Sequence, residues 1–178
     1  MSNLNRVSTV LHVGKIRLDD HLCFALYTAS RAIIAAERPG LVELGLTYPQ
    51  YLVMLVLWEE ESVPIGRLGE RLQLDSGTVS PLVRRLESMG HVERRRSPDD
   101  ERSTIVSLTE SGAALGEKSD CVMAALVDAL TGSSNDSSVD DPAEPGAESD
   151  ADFDVDAAVE LRAALHQLSD VLRANQAR

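Results

Sequence analysis

Two features of this 178-residue sequence are suited to chemistry: a thiol and a group of guanidinium side chains. Cys23 lies in the opening turns of a helical stretch, where exposed backbone N–H groups favour an anion and therefore a thiolate. Tyr27 follows one turn later on the same stretch and Tyr48 begins the next, so two phenols can donate a hydrogen bond to that sulfur. A thiol that ionises, can be reached and changes packing when oxidised is a redox sensor; one that does not is a small core residue. On the residues alone both readings stand. Cys121 is too distant in sequence from Cys23 for a C-x-x-C pair or a zinc clip. His12, His21, His91 and His166 never pair at metal-ligand spacing, so neither a metal nor a cofactor is expected.

The second feature lies between Arg84 and Arg96, where Arg84, Arg85, Arg94, Arg95 and Arg96 face only Glu87 and Glu93 although the chain carries a net charge of -12. A local reversal of sign in an acidic protein marks either a surface for polyanions such as DNA or a solvated charged face. The elements that hold these residues decide between them.

Leu22, Ala25, Leu26, Ala29 and Ile33 recur at helical spacing over about 18–38, and Pro39-Gly40 is expected to stop that helix. Thr47-Tyr48-Pro49-Gln50 supplies an N-cap, an early proline and a glutamine three positions after the cap. The helix that follows, through about Glu60, is apolar almost all round and is expected to be the spine of the core. Ile65, Leu68 and Leu72 mark a short helix. Val79, Leu82, Val83, Leu86 and Met89 then form one stripe of a helix beginning near Ser76, with Ser76, Thr78, Ser80, Arg84 and Arg85 on its open side and Gly90 at its end. Two helices joined by a tight turn, the second offering small polar residues and arginines, read as a helix-turn-helix. Pro81 inside the second is expected to bend it or free a carbonyl.

His91–Arg96 and Thr104–Leu108 alternate with a period of two around a turn-rich segment, which reads as a hairpin or wing. A helix from about Thr109 is expected to run through Cys121 to Leu130. Residues 132–156 are acidic, rich in Ser, Gly and Pro and free of basic residues, as in a flexible insertion. Leu161, Leu165, Leu168 and Leu172 then form a narrow seam on a last helix, a pattern that packs on a partner helix and implies a dimer. The expected class is mainly α with a small β wing: a winged helix-turn-helix domain with N- and C-terminal dimerisation helices. Its divisions are an extension at 1–17, the domain at 18–131, the insertion at 132–156 and the C-terminal helix at 157–178. The segment through Lys15 lacks the features of a secretory signal, and no run approaches the roughly 18 to 20 apolar residues that span a bilayer, so the expected location is the cytoplasm, with no membrane partner.

Leu22-Cys-Phe-Ala-Leu-Tyr-Thr-Ala-Ser-Arg31, Leu46-Thr-Tyr-Pro-Gln-Tyr-Leu52 with Leu57-Trp-Glu59, and Leu74-Asp-Ser-Gly-Thr-Val-Ser-Pro-Leu82 with Asp100-Glu-Arg102 and Leu108-Thr109 resemble the MarR family of winged helix-turn-helix regulators, in particular its organic-hydroperoxide-responsive repressors. The resemblance covers about residues 18–118. It implies a homodimer on a pseudo-palindromic double-stranded operator, released when an organic hydroperoxide oxidises Cys23, with Tyr27 and Tyr48 around the thiol. It implies Arg102 as the wing side chain in the minor groove, Asp100 as its buttress, Arg94, Arg95 and Arg96 on phosphates, and Asp75 as a cap or brace of the recognition turn. In two-cysteine members of the branch a second cysteine on the helix after the wing captures the sulfenic acid of the other subunit; Cys121 lies on that helix about two turns early. Glu37 stands where related sensors carry a further tyrosine, and a carboxylate there would not donate to the thiolate. Two other functions are weighed against the redox repressor: a regulator whose crevice between the first two helices takes a phenolic or other small ligand, and a thiol peroxidase. The peroxidase lacks a second catalytic cysteine near Cys23.

Overall fold

The computed structural model describes residues 17–98, 103–131 and 155–176. After a 3-10 turn at Leu18–Asp20, α1 spans Leu22–Ala36 and α2 spans Arg38–Leu44. Helix α1 thus ends close to the stop expected at Pro39-Gly40, but a second helix that was not expected begins at once: Pro39 falls in the first turn of α2, where a missing N–H leaves no bond unmade. No residue of α1 is buried, whereas α2 buries Gly40, Leu41 and Leu44. Gly45, at φ 68°, ends α2 in the left-handed region that glycine tolerates, and the Leu46 N–H reaches back to the Leu41 carbonyl.

Helix α3 spans Tyr48–Glu60 behind the expected capping box, in which the Thr47 N–H donates to Gln50 Oε1 at 2.8 Å. Its residues Gln50, Tyr51, Val53, Met54, Val56 and Leu57 are buried, as an all-round apolar helix requires. Strand β1, Ser62–Pro64, was not expected; three residues ending in proline show no alternation to read. Helices α4 (Ile65–Leu72) and α5 (Ser76–Ser88) follow, joined through Gln73, whose φ of 57° turns the chain so that the Leu74 N–H bonds the Gly69 carbonyl. Val79, Val83 and Leu86 of α5 are wholly buried, which places the stripe where its spacing put it.

Strands β2 (Val92–Arg96) and β3 (Thr104–Leu108) form the hairpin, and the antiparallel sheet has the order β1-β3-β2 with Arg94 opposite Val106. The next helix is two helices: α6 (Glu110–Gly116) and α7 (Asp120–Thr131). The break has a local cause. Gly116 lies against the Trp58 indole, where a Cβ would come within 2.9 Å, and the Ser119 hydroxyl and N–H both take the Gly116 carbonyl. A serine that competes for the carbonyl after a poor helix former ends the turn. Trp58 is fixed in its own right, its Nε1–H donating to the Gly112 carbonyl at 2.9 Å and its ring meeting Tyr51 edge-on at 5.9 Å.

The chain divides between Val127 and Asp128. The second unit contains α8, Val155–Gln176, on which Leu165 and Leu168 are half-covered and Leu161 and Leu172 exposed. Among the described residues no single helix is long and apolar enough to cross a membrane.

Where α2 crosses α7 there is no room for a side chain at Gly40: a Cβ would lie 2.5 Å from Val122 Cα and 2.6 Å from the Cys121 carbonyl oxygen. Because both neighbours are backbone, Gly40→Ala is expected to separate the helices and lower stability by about 2–3 kcal/mol in urea unfolding, the upper part of the range for overpacking.

Candidate DNA interface and thiol site

Helix α5 is held at its start by Asp75, whose Oδ1 accepts from the Thr78 N–H at 3.0 Å and whose Oδ2 accepts from the Thr78 hydroxyl at 2.9 Å. The Thr78 hydroxyl and then its N–H keep this carboxyl below the usual range, so Asp75 serves as a charged cap at the positive end of the helix. Ser76 and Thr78 are exposed and Ser80 is half-buried. Pro81 is exposed inside α5 and withholds the N–H that would otherwise bond the Gly77 carbonyl. Further along, Arg84 and Arg85 are exposed, and among the described residues neither has a carboxylate partner.

Glu87 explains why the arginines divide. Its Oε2 accepts from Arg94 Nε at 2.8 Å and Nη2 at 2.6 Å, a fork that clamps β2 to α5. This bond holds the Glu87 carboxyl below its usual range, so the clamp is present at neutral pH and is lost as pH falls and Glu87 takes up a proton. Arg94 is thereby committed to an intramolecular bond, in addition to the surface role expected of it. Arg95 pairs with Glu93 at 2.8 Å, and Arg96 is exposed at the end of β2. Asp100 and Arg102 lie outside the described residues; the hairpin is closed beside them by the Ser97 N–H on the Ser103 carbonyl. A second ionic contact that composition alone does not disclose joins α4 to α3: Arg71 bonds Glu59 and Glu60, and Arg67 reaches Glu60. Paired carboxylates at the end of α3 were the available signal.

The thiol site is only partly assembled. Cys23 is the second residue of α1 and is exposed. Tyr27 does not meet it. Its phenol oxygen accepts from Arg31 Nη1 at 3.2 Å, and the Arg31 guanidinium lies 5.5 Å from the Tyr27 ring centroid. Tyr48 lies beyond the far end of α1, which is about 22 Å long at 1.5 Å per residue. It is half-buried, and its phenol is held above its ordinary value by burial and then by the charge of Glu37. Within one chain, therefore, no hydrogen bond joins Cys23 to the two phenols expected around it.

Cys121 is half-buried, and its thiol donates to the Gly40 carbonyl at 3.5 Å. Burial, and then Glu43, push this thiol up, which leaves less of it as thiolate at neutral pH. Glu37 is buried, and burial raises its carboxyl above the usual range.

The family model described as transcriptional regulator SarA/Rot matches residues 37–118. The organic hydroperoxide resistance transcriptional regulator of Bacillus subtilis (strain 168) is 48% identical over 103 residues, which are 58% of this chain and 70% of that protein. Reduced AbfR bound to DNA, a protein of Staphylococcus epidermidis, superposes with a TM-score of 0.63 at 29% identity over 88% of this chain and 94% of its own. Disulfide-formed AbfR superposes with a TM-score of 0.53 at 28% identity over the whole of both chains.

The clamp and the exposed arginines are expected to separate by mutation. Arg84→Ala is expected to cost about 1–3 kcal/mol of duplex-DNA binding in fluorescence anisotropy. Arg94→Ala is expected to cost less at the same salt concentration and to leave the melting temperature nearly unchanged. A loss as large as that of Arg84→Ala would place Arg94 on the DNA.

Proposed function

The chain belongs to the MarR family of winged helix-turn-helix regulators, in its organic-hydroperoxide-responsive branch, and from that premise we propose that it is a homodimeric repressor that leaves a pseudo-palindromic operator when Cys23 is oxidised. The observation that carries this reading is the position of Cys23: an exposed thiol in the first turn of a helix with no buried residue, whose other end leads into the core that holds α5. The DNA-facing residues are Ser76, Thr78, Ser80, Arg84 and Arg85 of α5 and Arg95, Arg96 and Arg102 of the wing, with Asp75, Asp100 and Arg94 bracing them. Similarity to DNA-bound reduced AbfR supports the module, and disulfide-formed AbfR supports a thiol-based response.

The chemistry is a single displacement. The Cys23 thiolate attacks the terminal oxygen of the hydroperoxide, the O–O bond breaks, and the departing alkoxide takes a proton to become an alcohol, leaving a sulfenic acid. Tyr27 and Tyr48 act on the thiolate from across the dimer, since one chain does not bring them together. A thiol then displaces water from the sulfenic acid to form a disulfide. Cys121 supplies that thiol slowly, after it leaves the Gly40 carbonyl. The protein works in the cytoplasm as a domain at 18–131, with 157–178 as its C-terminal dimerisation helix and the acidic insertion at 132–156 between them.

Operator binding is the test. Stoichiometric cumene hydroperoxide is expected to reduce the affinity of wild type by at least tenfold, about 1.4 kcal/mol, and to leave Cys23→Ser bound. Release of Cys23→Ser would favour a small-molecule effector, and catalytic peroxide turnover with a thiol reductant would favour a peroxidase. Non-reducing electrophoresis of oxidised wild type is expected to show a linked dimer that Cys121→Ser lacks; wild type without that dimer would transfer the resolving step to a small cellular thiol.

A further inference from the structure

Glu37 stands at the junction of α1 and α2, and the proposed chemistry does not use its side chain. Its N–H donates to the Ile33 and Ala35 carbonyls and its carbonyl accepts from the Leu41 N–H, so it belongs to both helices. The side chain turns inward: Glu37 is 8% exposed, and Oε2 is closed off from solvent with no hydrogen-bond partner among the described residues. From α3, Tyr48 and Tyr51 both feel its charge; Tyr51 also feels Cys121 and Asp120 of α7, and Cys121 feels Glu43 of α2. The adjacent cation, Arg38, is exposed.

An ionised carboxylate at such a point gives up its hydration, and among the described residues no ion pair offsets that loss. The neutral acid gives up far less and keeps an O–H donor for the phenols. Because α1 buries no residue of its own, its direction is set largely at this junction.

We infer that Glu37 is a positioning residue for the thiol sensor that acts through its proton: the neutral carboxyl seats the α1–α2 junction against Tyr48 and Tyr51, and loss of the proton unseats it. The inference rests on the Cys23 reading, since it concerns the other end of the helix that carries Cys23. Rising pH then leaves the helix that presents Cys23 held less firmly. The sign for stability follows from the raised carboxyl: its contribution is fully present below the ordinary value of 4.5 and is lost as pH rises through the value in the folded protein.

The experiment compares full-length wild type, Glu37→Gln and Glu37→Ala with cumene hydroperoxide between pH 5 and pH 9, following sulfenic acid at Cys23 by mass. The ratio of the wild-type rate to that of Glu37→Gln is expected to be near one at the acid end and to fall at least about threefold towards the alkaline end as only the wild-type group ionises. Glu37→Ala, which has no group to seat the junction, is expected to be slower than Glu37→Gln throughout. A ratio that does not change with pH overturns the inference. Melting temperature gives a second reading that does not depend on Cys23: wild type and Glu37→Gln are expected to coincide near pH 4.5 and to separate above it, with Glu37→Gln the more stable. A difference independent of pH, or a Glu37→Gln protein unfolded where wild type is folded, also overturns it. Peroxide-driven operator release in Cys23→Ser would instead sink the Cys23 reading and leave the melting comparison to decide on Glu37.

Discussion

A helix that is apolar on every side must be covered on every side, and α3 imposes that requirement on the rest of the domain. Val53, Met54 and Leu57 have no exposed surface at all. Burial of each large aliphatic side chain is worth about 1.5–3 kcal/mol relative to exposure, so few other interactions in the domain compete with the covering of this helix. Leu41 and Leu44 of α2, Leu68 of α4, Val79, Val83 and Leu86 of α5, Val63, Val92 and Val106 of the sheet and Val122 of α7 form one cluster with it. The two functional ends of the domain are thus mounted on the same rod. Its first turn holds Tyr48 beside Glu37, and its last turn holds Glu59 and Glu60, which take Arg71 of α4.

Patterns set by local chemistry were legible in the sequence. Spacing alone located the buried stripe of α5, and Thr47 with Gln50 announced the start of α3 because a capping box is made within four residues. The two strands of the wing were legible from their alternation. What escaped depended on contacts made at a distance. Pro39-Gly40 carries a stop signal and a start signal in the same two residues; α1 ends before them as expected, whereas the short helix that starts there packs against α7, whose backbone leaves room only for a glycine at position 40. The α6–α7 break needs the Trp58 indole against Gly116, a partner 58 positions away in sequence. Strand β1 exists only because β3 pairs with it.

The candidate sites divide in the same way. Arg84 and Arg85 are exposed on α5, opposite its buried stripe, as helical periodicity requires. Arg94 is different, because a strand residue is paired with whatever the neighbouring helix offers, and α5 offers Glu87. Glu37 is the clearest case of chemistry that residue type conceals: as a letter in the sequence it is an ordinary surface anion, and in the fold it is a buried carboxyl whose Oε2 has no partner among the described residues and whose burial favours the protonated form. Cys23 and the phenols were legible as residue types but not as an assembled site: the Tyr27 hydroxyl takes Arg31, and the length of α1 separates Tyr48 from the thiol. The dimer is therefore part of the proposed sensor as well as of the DNA interface.

The central claim is that oxidation of Cys23 itself causes release, and the most direct measurement follows both events in one reaction. Operator-bound protein is treated with one equivalent of cumene hydroperoxide, quenched over time with a dione that traps sulfenic acids, and digested for mass analysis while release is recorded by anisotropy. The account predicts that the trapped Cys23 peptide and the free operator appear with the same rate constant, with Cys121 modified only afterwards. Release that precedes modification of Cys23, or that tracks Cys121 instead, would contradict it.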